Sequence, residues 1–303
     1  QYSVLYEWTD AKGQIHRSAP SIALSVTLSG GGSSQKTTLT IPTLRLTSKT
    51  LVNVVVYRTI DSGTTFYRTT PVATPTDNDT TADTVSFVDT QADSTLTDNE
   101  LLYTTGGVLD HIAPPSCSVI ASYGSRVFLA GLEDPNQIRY SKQYVSGEGI
   151  SFNETLRIQM EAEGGDITGM QTLDANLIIF KENQIYAISG EGPKPTGADN
   201  DLLQPDRIAT DSGAISSKSI VITPIGVMYK SNRGIELLDR SLVPKYIGSA
   251  VEAFNSDTIV KSTLVPKTNE VRFITSNGRI LVYNYYFKQW STFTNLSDSI
   301  DSV

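Results

Sequence analysis

The chain has 303 residues, 39% hydrophobic and 8% aromatic, which is enough for a sizeable core and for two domains. Its 24 basic and 32 acidic residues give a net charge of −8 with no Lys/Arg run, so a nucleic-acid surface of the usual electrostatic kind is not indicated. One cysteine, Cys117, excludes an internal disulfide and reads as a buried small hydrophobe; with only His16 and His111 beside it, no zinc or other metal site is expected.

The opening residues Gln1-Tyr2-Ser3-Val4-Leu5 enter a strand directly, without a methionine, a basic segment or an apolar leader, and read as a chain cut from something longer. Tyr2 to Trp8 alternates and ends in the turn Asp10-Ala11-Lys12-Gly13, after which Gln14-Ile15-His16 returns as a hairpin. Further short β runs are predicted at Ala23 to Leu28, Thr37 to Ile41, Asn53 to Arg58, Thr65 to Thr70 and Val85 to Val88. Between them lie Gly30-Gly31-Gly32-Ser33-Ser34, Asp61-Ser62-Gly63 and the polar tract Thr74 to Thr84. About seven strands in about 100 residues, with no helical period, predict an immunoglobulin- or fibronectin III-like sandwich over residues 1–107. The missing Cys…Trp…Cys framework favours the fibronectin-like variant.

Asp77 to Glu100 carries seven acids and no base, and reads as a solvated loop region between strands. A calcium loop would use such carboxylates, but Asp77, Asp79 and Asp83 lack the glycine turn and closing glutamate of an EF-hand. Thr59-Ile60-Asp61-Ser62-Gly63-Thr64-Thr65-Phe66 fits the Asp-box pattern found on sialidase propellers. Its chemistry is that of a turn, with Asp61 capping local N–H groups, Gly63 at positive φ and Phe66 packing beneath.

After the Gly106-Gly107 to Pro114-Pro115 boundary, one strand–turn–strand phrase recurs four times. Its cores are Val127 to Ala130 with Ile138 to Tyr140, Leu177 to Phe180 with Ile185 to Ile188, Val227 to Tyr229 with Ile235 to Leu238, and Val271 to Ile274 with Ile280 to Tyr283. An apolar strand precedes each hairpin (Val119, Ile167, Ile220, Ile259) and a weaker one follows (to Met160, Ala209, Ile247, Phe293). A period of about 40 to 50 residues with four strands per unit predicts β-propeller blades over residues 108–303, as a partial or discontinuous propeller. The innermost runs are expected to be covered on both faces, the outer ones to alternate. The insert from Glu191 to Pro205 reads as a protruding loop that meets a neighbouring subunit, with plain disorder as the alternative.

No nucleophile elbow, phosphate loop or dinucleotide fingerprint is present. His16, at a hairpin end, and His111, in the linker, read as structural or solvated rather than as general bases. No catalytic residue, cofactor-binding residue or metal ligand is therefore assigned. No run approaches the ~20 apolar residues of a membrane span, so no membrane contact is expected.

The chain resembles the tail hub or nozzle proteins of short-tailed bacteriophages, also called head-to-tail stabilisation proteins. The resemblance rests on Tyr2 to Asp10 with Gly13, on Ser18-Ala19-Pro20-Ser21, on Val56-Tyr57-Arg58-Thr59 and on Arg126 to Gly131 followed by Ile138 to Ser141. It continues through Ile179 to Tyr186 with Ser212-Gly213. It implies a virion protein forming a homo-hexameric ring with portal, adaptor and other tail proteins as partners. That ring would continue the DNA conduit for genome retention and ejection, meeting passing DNA only transiently and non-specifically. The alternative classes are a glycan- or protein-binding propeller module, which exposed loop aromatics would favour, and a glycan-cleaving propeller, which per-blade Asp boxes would favour.

Overall fold

The computed structural model describes residues 1–28, 35–103, 109, 111–147, 149–193 and 203–294. They form two compact units. The first is Gln1–Ser116 with Ser151–Thr155, and the second begins at Cys117 and holds the rest of the described chain. Residues 104–108, where the domain boundary was expected, lie outside the described residues, as does the glycine-rich run Gly30 to Ser34.

In the first unit, β1 (Tyr2–Thr9) turns into β2 (Ile15–Arg17) through a loop that Asp10 organises. Its Oδ1 accepts the N–H groups of Lys12 and Gln14, and Gly13 takes φ 82°, a conformation glycine adopts without steric cost. β3 (Thr37–Pro42) pairs with β7 (Thr84–Asp89) as a separate two-stranded sheet. β4 (Asn53–Thr59) pairs with β1 on one side and with β5 (Phe66–Arg68) and β6 (Thr76–Asp77) on the other. Strand side chains alternate between faces, and β4 is apolar on both. Val54 and Val56 pack with Leu39 and Ile41 of β3, while Val55 and Tyr57 pack with Leu5 and Leu102. A strand buried on both faces reads as the unbroken run Val54-Val55-Val56-Tyr57. The one α-helix among the described residues, α1 (Asp93–Leu96), is one turn long and inserts Leu96 fully into the core.

The strand predicted at Ala23 to Leu28 does not form. Only Leu24 pairs, with Tyr2, through two 2.8 Å bonds. Upstream, Pro20 has no N–H to give, and two serines work at the edge of β1 instead: Ser18 Oγ accepts from Tyr6 N and Ser21 Oγ from Val4 N, each at 3.0 Å. Ile22, Leu24, Val26 and Leu28 are all exposed, so the alternation has no face to bury.

The second unit is four successive four-stranded antiparallel sheets. The first holds β8 (Val119–Tyr123), β9 (Arg126–Ala130), β10 (Gln137–Tyr140) and β11 (Arg157–Gln159). The second holds β12 (Ile167–Leu173), β13 (Asn176–Lys181), β14 (Ile185–Ile188) and β15 (Pro205–Ala209). β16 (Val221–Thr223), β17 (Gly226–Ser231), β18 (Gly234–Asp239) and β19 (Pro244–Tyr246) make the third. β20 (Ile259–Val265), β21 (Glu270–Thr275), β22 (Ile280–Asn284) and β23 (Gln289–Phe293) make the fourth. Every strand predicted in the repeats is present.

The leading strands pack in succession, β8 on β12, β12 on β16 and β16 on β20, as inner strands of propeller blades do. The fold is therefore all-β, a sandwich followed by a propeller-type array of four-stranded blades. One detail differs from the sequence reading: the continuously buried strands are middle ones, β10, β14 and β17, whereas the inner β8 and β20 are partly exposed. Middle strands are flanked by a strand on each side and by a sheet on each face, which an edge strand is not.

Between sheets two and three lie Leu173, Ile178, Phe180 and Ile185 against Val227, Tyr229 and Leu238; between sheets three and four, Met228, Ile235 and Leu237 against Val271, Phe273, Leu281 and Tyr283. Most of these side chains are fully buried, each contributing roughly 1.5–3 kcal/mol of transfer free energy.

Candidate functional site

Buried polar groups concentrate in six places among the described residues, two in the first unit and four in the second. In the first unit, Arg17 at the end of β2 lies within 2.8 Å of Glu7, 2.5 Å of Glu100 and 2.7 Å of Glu154. Arg68 of β5 shares two of these carboxylates, at 3.3 Å from Glu7 and 3.1 Å from Glu100. Burial disfavours the Arg17 cation, yet the charges facing it, Glu100, Glu154 and Glu7 among them, outweigh that and push its pKa up. Burial likewise pushes the Tyr57 hydroxyl well above the usual tyrosine value beside Glu100, to which it donates at 3.3 Å. Glu154 Oε2 is buried and lacks a hydrogen-bond partner among the described residues.

On the other face of that unit, Arg58 of β4 gathers Asp89 at 2.7 Å, Asp93 at 2.5 Å and the Gln91 carbonyl at 2.8 Å. Tyr2 donates to the same Asp89 at 2.8 Å; burial outweighs the other influences and pushes its hydroxyl up to about 12. The acid-rich stretch is thus only partly a solvated loop. Asp89, Asp93 and Glu100 tie it to bases contributed by β2, β4 and β5, while Asp79 bonds Thr81 and Asp83 pairs with Arg45.

In the second unit, Lys181 is fully buried with its Nζ donating to Asn136 Oδ1 at 2.8 Å, to the Glu163 carbonyl at 2.6 Å and to the Glu161 carbonyl. Gly213 must pass so close that a Cβ there would lie 2.2 Å from the Lys181 carbonyl. Lys230 repeats the device one sheet later, donating to the Asp257 carbonyl. Burial lowers both lysine pKa values. Glu236, 1% exposed, accepts from Ser212 at 2.9 Å, Ser231 at 2.5 Å and Tyr229 at 3.3 Å, with Arg233 at 3.3 Å. Arg126 donates to the carbonyls of Ser141 and Glu191, each at 2.9 Å, and to that of Pro193, fixing the start of the long insert. The insert's residues 194–202 lie outside the described residues.

The residues singled out in the sequence take these places. His16 stacks on Trp8 with ring centroids 5.4 Å apart and sits 3.2 Å from Asp10. Cys117 is exposed, which corrects its reading as a buried hydrophobe; it opens the second unit outside any core cluster. The Asp61 turn is also rearranged. The left-handed residue is Ser62 at φ 56°, and Gly63 is needed because a Cβ there would meet Ile60 Cγ1 at 2.6 Å. The carboxylate that holds the loop is Asp93, accepting Asp61 N–H at 2.8 Å. The Arg58 bond above all, and then the Asp61 N–H, hold the Asp93 carboxyl below its ordinary range.

Three clefts open on the first unit, of about 430, 530 and 420 Å3. The first is walled by Val72, Phe87 and Val88 over Asn99, Gln91 and Glu100. Its polar groups are engaged with one another: Asn99 donates to Gln91 Oε1 and to the Arg68 carbonyl, and Gln91 Nε2 donates to the Thr95 carbonyl. At the far end of the chain, the β22–β23 turn presents Tyr286 and Phe287, 72% and 67% exposed, on a hydrogen-bonded support. No sequence pattern marked that pair, although two adjacent aromatics in a turn were its visible trace.

No protein-family model and no curated protein matches the chain. Among solved structures, BamB from Moraxella catarrhalis is 9% identical at a TM-score of 0.40, over 80% of this chain and 58% of that one. YCF48 bound to D1 peptide is 10% identical at 0.38, over 86% of this chain and 73% of that one. The chain therefore spans less than two thirds of the BamB chain, and likenesses this distant concern fold alone.

Proposed function

We propose that this chain is a structural, non-catalytic component of a bacteriophage tail, part of a ring-shaped hub or nozzle that continues the DNA conduit. What carries the reading is the ordered resemblance, supported by where its residues lie. Glu7, Ser18, Ser21, Tyr57 and Arg58 hold the first unit together, and Arg126, Ser141, Lys181 and Ser212 hold the second. They form the framework, so the resemblance is one of architecture running through both units. The net charge of −8 suits a passage through which DNA slides, since attraction at many phosphates would impede it.

The test is on virions. Cryo-electron microscopy should locate this polypeptide in the tail below the portal, as a ring. Finding it only in infected-cell cytosol, or at a fibre tip on host glycan, removes the reading. The second reading, a module that binds a sugar or protein through blade-end loops, is favoured by the exposed Tyr286–Phe287 pair. A glycan-array signal lost in Tyr286→Ala would support it.

A further inference from the structure

The β22–β23 turn is built to hold two aromatic rings out of the fold. Asn284 Oδ1 accepts the N–H groups of Tyr286 at 3.1 Å and Phe287 at 2.9 Å, and Lys288 closes the turn at φ 57°. Tyr285 binds the neighbouring β20–β21 connection twice, N–H to the Asn269 carbonyl at 3.0 Å and hydroxyl to Asn269 Oδ1 at 3.1 Å, and Asn284 Nδ2 reaches the Thr268 carbonyl at 3.1 Å. The two connections are therefore one rigid tip. Tyr286 and Phe287 stand edge to face, 5.0 Å apart at 88°. Lys267 and Lys288 flank them, both exposed and without an ion-pair partner among the described residues, while the nearby Glu270 is neutralised by Arg272 at 2.8 Å. Pre-ordered, exposed aromatics are the residues that dominate protein interfaces, because their ordering cost is already met.

A complementary patch exists on the first unit. The loop before β4 and the loop between β6 and β7 are joined by Asn78, which bonds the Leu44 N–H at 2.7 Å and the Leu44 carbonyl at 3.1 Å. This patch exposes Leu46 at 98% and Leu51 at 86%, with Leu51 held in the left-handed region at φ 55°, costly for a branched side chain. Around them stand the exposed Asp77, Asp79 and Asp83, opposed by Arg45 and Lys49. One surface offers aromatics with two free cations; the other offers leucines with an excess of acid.

We propose that the Tyr286–Phe287 tip docks on the Leu46/Leu51 patch of a second copy of this chain, the lysines meeting the aspartates. Such a contact is heterologous, head to tail, and repeats to a ring where the rotation closes. The inference builds on the ring reading above and supplies its contact residues. Charge favours a copy of this chain over a nucleic acid, since the chain carries eight more acids than bases.

Sedimentation velocity of the purified chain over a concentration series, at low and high salt, tests it. The chain should self-associate, and the Tyr286→Ala/Phe287→Ala double variant should weaken association by about tenfold or more with an unchanged melting profile. Lys288→Glu should weaken it at low salt, and adding Asp79→Lys should restore it. A chain that stays monomeric up to its solubility limit overturns the proposal. So does association unaffected by the double variant, or a tip that binds single-stranded DNA or glycan in place of a second copy. Self-association through this pair in a protein absent from virions would instead sink the tail reading and leave the contact standing.

Discussion

Phe180 packs on Tyr229 across the junction of sheets two and three, ring centroids 5.0 Å apart and planes at 50°, and a single oxygen separates the two side chains chemically. That hydroxyl, buried, must have partners, and it finds Ser212 at 2.6 Å and Glu236 at 3.3 Å. Tyr229→Phe should therefore destabilise the second unit by about 1–2 kcal/mol, although the ring packing stays. Glu236→Leu should cost about 3 kcal/mol, because it strands Ser212, Ser231 and Tyr229 together. Denaturant unfolding followed by tryptophan fluorescence of Trp290 in sheet four measures both.

The lysine device should rank by its acceptors. Lys181 satisfies three oxygens and Lys230 has one carbonyl assigned to it, so Lys181→Met should lower stability by about 2–3 kcal/mol and Lys230→Met by about 1 kcal/mol. Equal losses in urea titrations would show that the carbonyls find water in the variants.

At the Asp-box-like turn, Asp93→Ala should cost about 1 kcal/mol, the usual loss of a capping carboxylate, and Asp61→Ala should cost less than half of that. A larger effect of Asp61→Ala on the melting temperature would return the capping role to Asp61.

Tyr2 gives a pH dependence with a definite sign. Its pKa is raised from 10.0 to about 12 by burial, so the native state holds its proton after the unfolded chain has lost it. Its contribution is fully present below pH 10 and is lost as pH rises towards 12. Melting temperature should fall across that window, and Tyr2→Phe should flatten the fall. An unchanged slope in Tyr2→Phe would assign the loss to Tyr57 or Tyr229, whose hydroxyls burial also raises.

The strands of the repeats were legible because each pairs with its neighbour in sequence, and in the central hairpins, such as β13–β14 and β17–β18, periodicity, turn residues and partner all lie within a few positions. Ala23 to Leu28 was misread because alternation shows that a run has two faces, not that a sheet waits to cover one. The charge networks were hidden for a different reason: Arg17 and Glu154 lie 137 positions apart, and nothing local to either announces the other. Cys117 illustrates a weaker prior, since residue type gives only an average burial.

Glu154 also dictates an order of events. It reaches Arg17 from the connection between β10 and β11, where Phe152 pairs with Ile112 through bonds of 2.8 and 3.2 Å. During synthesis the sandwich must therefore wait for the first three strands of the first blade to be translated before this buried carboxylate arrives. An expression fragment ending near residue 107 would leave Arg17 and Arg68 with two carboxylates rather than three, whereas one carried through residue 155 would hold the complete set.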